Sequence, residues 1–378
     1  MQNKKIASFT GLRFIMIMCI VLSHFEFLFD VEPIGDFYKT YLWSAGFSVH
    51  FFFMLSGFGM MLGNISKVSL SETKCPSLSD CFKYGISHIR KIYPVYIATI
   101  IFGVVARFIF DFAADKINLS WLVHEFVKFV VNALLMQSAT GMFHYTHAYN
   151  GAAWFLSCLF CIYLVSPMLI FVVRRVSKNY VTDIALIVLD MIMIYVMGIL
   201  LGKIEGSLHD IKGLPDVNNL GYVSPFYRVF YVLIGMSVAC IFCRMKENQI
   251  DLTEKKASIL EIIVTVLFLH RFLLDRAFPL FSGYFGYVYE QMLPAIFLLI
   301  FAFDKGKISN LLHRKTMQVL GGMAMYIFLI HYAIRFWVAK PVETIWGWTL
   351  ASSLGFIVFI LSVTFGISYW LWKKSVSR

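Results

Sequence analysis

The run GLRFIMIMCIVLSHF, residues 11–25, sets Arg13 and His24 into a stretch that is otherwise almost wholly apolar. Eleven positions of α-helix turn the chain by about 1100°, only ~20° beyond three full circles, and climb ~16 Å. The two side chains therefore share one helix face at different depths. Ionisable groups within a membrane are costly and usually face a protein interior or a water-filled cavity. Arginine suits phosphate, because its planar fork donates two parallel hydrogen bonds. Histidine suits base catalysis, because its unperturbed pKa of about 6.5 lies close to working pH. One stripe thus offers an anion-binding cation near one face and a proton acceptor deeper in. Each residue alone has a plainer reading: a snorkelling arginine, and a histidine that hydrogen-bonds a neighbouring helix.

Other polar groups stand in apolar surroundings. His331 lies fifteen residues into the run 316–338, at a depth comparable with His24. It either lines the same site or packs through a hydrogen bond. Asp190, midway along 181–201, is either functional or neutralised by a neighbouring helix. Arg228 opens the run 225–243 and reads as a substrate contact or an interfacial anchor. Ser56 and Gly57 are small residues of the kind that lets helices approach closely. The segment GMFHYTHAYNGAAW, 141–154, ends on Trp154 and is rich in aromatic and amide groups suited to sugars, although interfacial aromatic belts look the same. His144 and His147 are spaced as two metal ligands, but no third is evident, so no metal is expected.

The elements that must position these groups are membrane helices. The 378 residues are 59% hydrophobic and only 15% charged, whereas a soluble domain carries roughly 25% charged residues. Mean hydropathy is +0.74. Spans are expected at about 10–29, 42–64, 92–113, 152–173, 181–201, 225–243, 257–274, 290–303, 316–338 and 347–372. The run 121–139 carries His124, Glu125, Lys128, Asn132 and Gln137, and charge decides its place. If it does not cross and the N-terminus is cytoplasmic, most of the 33 Lys and Arg fall in inside loops, among them Lys4, Lys5, Lys67, Lys74, Arg90, Lys91, Arg174, Arg175, Lys373 and Lys374. If it crosses, that bias collapses.

The expectation is therefore an all-α, polytopic integral membrane bundle of ten helices with both termini cytoplasmic, and 121–139 on or dipping into the outer half. A single membrane domain over 1–378 is expected, with no fused soluble domain and no cleaved signal peptide. The net charge of +11 follows from inside loops rather than nucleic-acid binding. The CxxC pairs Cys158/Cys161 and Cys240/Cys243 sit in apolar helical runs, not in the polar turns of zinc sites.

FTGLRFIMIMCIVLSHF resembles the opening of the acyltransferase family three membrane proteins, which carry an Arg/Lys-x10-His signature in their first span. SVHFFFMLSGF (48–58), HIRKIYPVY (88–96), NGAAWFLSCLFCIYLVSP (150–167), SPFYRVFYVLIGM (224–236) and LGGMAMYIFLIHYAI (320–334) resemble later motifs of that family, in order and over essentially the whole chain. The resemblance implies transfer of an acyl group, usually acetyl, from cytosolic acyl-coenzyme A to an acceptor hydroxyl at or beyond the outer face. Typical acceptors are cell-surface polysaccharides and lipid-linked sugars, and the setting is a bacterial-type plasma membrane. It makes His24 the base, and the coenzyme phosphates would then sit near Arg13, Arg90 and Lys91. His50, Ser56, Trp154, Asp190, Arg228 and His331 are the expected lining of the site.

Four positions depart from the family pattern. His50 stands where many relatives carry aspartate, either as a swapped partner for His24 or for a different acceptor. Leu159 stands where many carry glutamate, and His88 and Lys91 where arginines are common. The competing class is a transporter or flippase of a lipid-linked saccharide, which inverted internal repeats would favour. None is evident. A scaffold protein would leave the Arg13–His24 stripe without a task.

Overall fold

The computed structural model describes residues 6–65, 75–209 and 220–377, and no strand occurs among them. Lys4, Lys5, Lys67 and Lys74 lie outside the described residues. The first helices are α1 (Ala7–Ser23), α2 (Gly46–Ile65), α3 (Leu78–Ile89), α4 (Tyr93–Ala113), α5 (Leu119–Ala133) and α6 (Trp154–Val176). They are followed by α7 (Tyr180–His209), α8 (Pro225–Glu247), α9 (Glu254–Leu269) and α10 (Gly283–Ala302). The short α11 (Lys307–Leu312) precedes α12 (Lys315–Trp346) and α13 (Leu350–Val376).

Nine helices among the described residues are long and apolar enough to cross a membrane. The shorter α1, 17 residues, stands where the first span is expected, and a single 3-10 turn, Glu26–Leu28, follows it. The protein is thus an all-helical polytopic bundle with nine candidate spans among the described residues, and the shorter apolar α1 stands at the first of the ten expected positions. The run 121–139 does not add an eleventh. Helix α5 doubles back along α4, with the Trp121 indole donating to Asp111 at one end and the Tyr96 hydroxyl to the Asn132 carbonyl at the other. The chain then packs on the first turn of α6, where Ser138 Oγ donates to the Trp154 carbonyl.

Local chemistry fixes where helices begin. Ser77 and Asp80 form a capping box on α3, Asn118 caps α5, Ser224 caps α8 ahead of Pro225, and Thr253 caps α9. Between helices, packing is by close approach of backbones rather than by apolar attraction, which lipid cannot supply. A Cβ on Gly57 would fall 1.9 Å from the Val232 carbonyl oxygen, and one on Gly235 1.9 Å from that of Met54, so α2 and α8 touch main chain to main chain. A Cβ on Gly321 would stand 1.7 Å from the Thr10 carbonyl oxygen, which brings α12 equally close to α1.

The base of α1 is tied down on the side where α12 begins. Asp304 accepts from the Ala7 and Ser8 amides at 3.2 and 2.9 Å, and Ser8 Oγ donates to the Phe301 carbonyl. Glu261 of α9 does the same for α11, accepting from the amides of Gly306, Ile308 and Ser309 and from Ser309 Oγ. Both carboxylates meet unpaired amides at a helix start, where a negative charge is favoured. The helix carrying Arg13 and His24 therefore has a fixed depth.

Candidate active site

A cavity of about 1350 Å³ runs through the bundle, larger than the ~300–1,000 Å³ of ordinary small-molecule pockets. At the end near the base of α1 it is lined by Arg13, Asn64, Tyr84 and His88, and at the other by His24, Glu26, Trp43 and Arg276. Arg13 and His24 open into the same space, as their shared helix face requires. The walls come from α1, α2, α3, α6 and α12, joined by the segments that precede α2 and α6.

His24 ends α1 and is half-buried. Its Nδ1 lies 3.0 Å from Nε2 of His331 on α12, and Nδ1 of His331 lies 3.0 Å from the Ile327 carbonyl oxygen. These contacts assign the protons of the neutral pair. A carbonyl only accepts, so His331 Nδ1 must carry hydrogen, and its Nε2 then offers a lone pair. His24 Nδ1 donates to that lone pair. His24 Nε2 is left as the unprotonated nitrogen of a ring that borders the cavity. The chain of three groups orients a base, which is what proton abstraction needs. The Tyr332 ring stands edge-on to His24 at 5.3 Å, and Arg335 holds Glu26 at 2.7 Å beside it.

Arg13 is exposed, and what it is exposed to is the cavity. Tyr163 of α6 lines the same cavity, and no carboxylate among the described residues lies within ion-pair distance of Arg13. An unmatched guanidinium opening into a cavity is a site for an anion. Ser56, its hydroxyl donating to the Phe52 carbonyl, and Trp154 also border the cavity, as does Leu159.

The remaining expected residues lie elsewhere. His331 is buried behind His24 and does not itself line the cavity. His50 is buried too, stacked on Tyr231 at 4.4 Å with Nδ1 unpartnered, so it is not the partner of His24. Arg228 is sealed among the rings of Phe53, Trp154, Tyr222, Tyr227 and Tyr231, its Nε donating to the Tyr222 carbonyl at 2.7 Å. It backs the aromatic wall formed by Trp154 and Tyr222 rather than reaching the cavity. Asp190 is buried on α7, away from the cavity. Arg90 and Lys91 are exposed and are not among the residues that line the cavity, whereas Tyr84 and His88, on α3, are. The helix period of four between Tyr84 and His88 was the available signal. Tyr163, Tyr332, Trp43 and Arg276 gave none, since aromatic and basic residues are common at every membrane interface.

Among the described residues no cluster of three or more His, Cys, Asp or Glu is placed to hold a metal ion. His147 lines the cavity, stacked on Phe143 at 4.3 Å, with burial as the main influence holding its imidazole below the ordinary histidine value. All seven cysteines are free.

Residues 6–373 match the acyltransferase domain of acyltransferase family three. The chain belongs to that family. It is a membrane acyltransferase, and the match takes in nearly every helix, including both walls of the cavity. No curated protein and no solved structure matches it.

Proposed function

We propose that this membrane acyltransferase moves an acyl group, acetyl in the simplest case, from cytosolic acyl-coenzyme A to a hydroxyl of a cell-envelope polysaccharide or lipid-linked sugar at the outer face of a bacterial-type plasma membrane. One observation carries the reading: a single cavity joins an unmatched arginine near the cytosolic end to a histidine whose free nitrogen borders the other end. Their ~16 Å separation along α1 suits a pantetheine arm with its phosphates at Arg13 and its thioester at His24.

His24 Nε2 takes the proton of the acceptor hydroxyl as that oxygen attacks the thioester carbonyl. The new C–O bond forms, the C–S bond breaks, and the imidazolium returns its proton to the departing thiolate. During this step His24 carries a positive charge. The lone pair of His331 Nε2, fixed by the Ile327 carbonyl, receives the Nδ1–H that this charge makes more acidic. A flippase would have no use for such a fixed tautomer.

The experiment is acyl transfer from labelled acetyl-coenzyme A in membranes expressing the protein. His24→Ala should lose about 10²–10⁴-fold in rate, the usual worth of a general base. Transfer retained at the wild-type rate would refute the assignment.

A further inference from the structure

Of the two aromatic groupings on the cavity, the one at its cytosolic end belongs to no step described so far. The Tyr84 and His88 rings lie in contact at 4.1 Å, tilted by 31°, and His88 in turn contacts Tyr163 at 4.9 Å, tilted by 35°. All three line the cavity, and His88 is exposed. Two come from α3 at positions i and i+4, and the third from α6. The helices meet closely there: a Cβ on Gly85 would fall 2.7 Å from the Leu164 side chain. The column thus faces the cavity instead of lipid.

Its polar edge is also set. His88 Nδ1 donates to the Tyr84 carbonyl oxygen at 2.8 Å, so Nε2 of the neutral ring is an acceptor. A flat aromatic face with an acceptor at its rim fits a purine bearing an exocyclic amine. Stacking on aromatic side chains holds bases in many nucleotide sites. Arg13 lines the same cavity as the column.

We infer that Tyr84, His88 and Tyr163 form a purine-binding subsite for the nucleotide end of the acyl donor. This rests on the acyl-coenzyme A reading above. The order along the cavity then follows the order of groups in the donor. The purine lies on the column, the phosphates lie at Arg13, the pantetheine arm passes Ser56 and Leu159, and the thioester reaches His24. Affinity for the nucleotide comes from rings on α3 and α6, and not from the exposed Arg90 and Lys91.

The experiment measures binding of coenzyme A and of 4′-phosphopantetheine, which lacks the adenosine 3′,5′-bisphosphate half, to the purified full chain in lipid nanodiscs. The wild type should prefer coenzyme A. Tyr84→Ala and His88→Ala should each weaken coenzyme A by about 5- to 150-fold, the range for loss of one base-stacking ring, and leave 4′-phosphopantetheine within about twofold. Tyr84→Phe, which keeps the ring, should bind like the wild type. Retained binding of 4′-phosphopantetheine also shows that a variant is folded. Equal weakening of both ligands, or an unchanged preference for coenzyme A in both alanine variants, overturns the subsite. A wild type that binds neither ligand overturns the donor reading itself.

Discussion

At the scale of residues, the proposed chemistry depends on which nitrogen of His24 is bare, and the His331 contact sets it. His331→Ala removes the acceptor of the Nδ1 proton and frees the ring to turn. The kcat should fall roughly 10- to 10²-fold, the cost of a small misplacement at a reacting centre, with KM for the donor little changed. His331→Gln, whose amide oxygen can accept the same proton, should recover part of the loss. A KM effect alone, or no difference between the two variants, would deny His331 a positioning role. Arg13→Ala should do the reverse, raising KM for acyl-coenzyme A with kcat largely kept; an unchanged KM removes Arg13 from the donor site. The Arg13–His24 pairing was legible from spacing, because one straight helix fixes the relation between its own residues. The place of His331 was not, because its depth was readable but its neighbour across the helix interface was not. His50 and Arg228 show the same limit. An ionisable residue in a span can face a cavity, or it can be enclosed by rings as these two are, and sequence does not separate the two.

At the scale of elements, α1 is useful only at one depth, and its base is held by Asp304. Burial works to raise the Asp304 carboxyl, but the hydrogen bonds from His313 and from Ser8 outweigh it and hold the group below its usual value. A depressed carboxyl contributes stability that is fully present above its unfolded value of about 3.9 and is lost as pH falls through the folded value. Asp304→Asn should therefore flatten the acid limb of thermal stability below about pH 4, and lower the melting temperature at neutral pH. Identical acid limbs for variant and wild type would show that the latch carries no stability. The α2–α8 crossing has a sharper expectation. Gly235→Ala puts a methyl group into the Met54 carbonyl, and overpacking of that kind costs about 1–3 kcal/mol or more. Gel filtration in mild detergent should show an aggregated or poorly recovered protein; a monodisperse variant of unchanged melting temperature would mean that the helices part easily. Ser56 and Gly57 announced a close crossing in the sequence. Which helix they met was tertiary information, as was the docking of α3 that turned Tyr84 and His88 inward.

At the scale of the whole molecule, the helical spans were legible from hydropathy, because the membrane imposes span length, and charge kept 121–139 from being read as another; that α5 packs back along α4 was not. The cavity was not, since it arises where five helices fail to fill the space between them. On the proposed function its consequence is directional: the donor would enter from the side of Arg13 and the acceptor would meet His24 from the other. Sealed vesicles of known orientation, with acceptor glycan on one side and labelled acetyl-coenzyme A supplied to a single face, examine this directly. The account predicts labelled glycan only when the donor is on the face where Lys373 and Lys374 lie, with the label lost in His24→Ala. Labelling that requires donor and glycan on the same face, or that survives in His24→Ala, would contradict it.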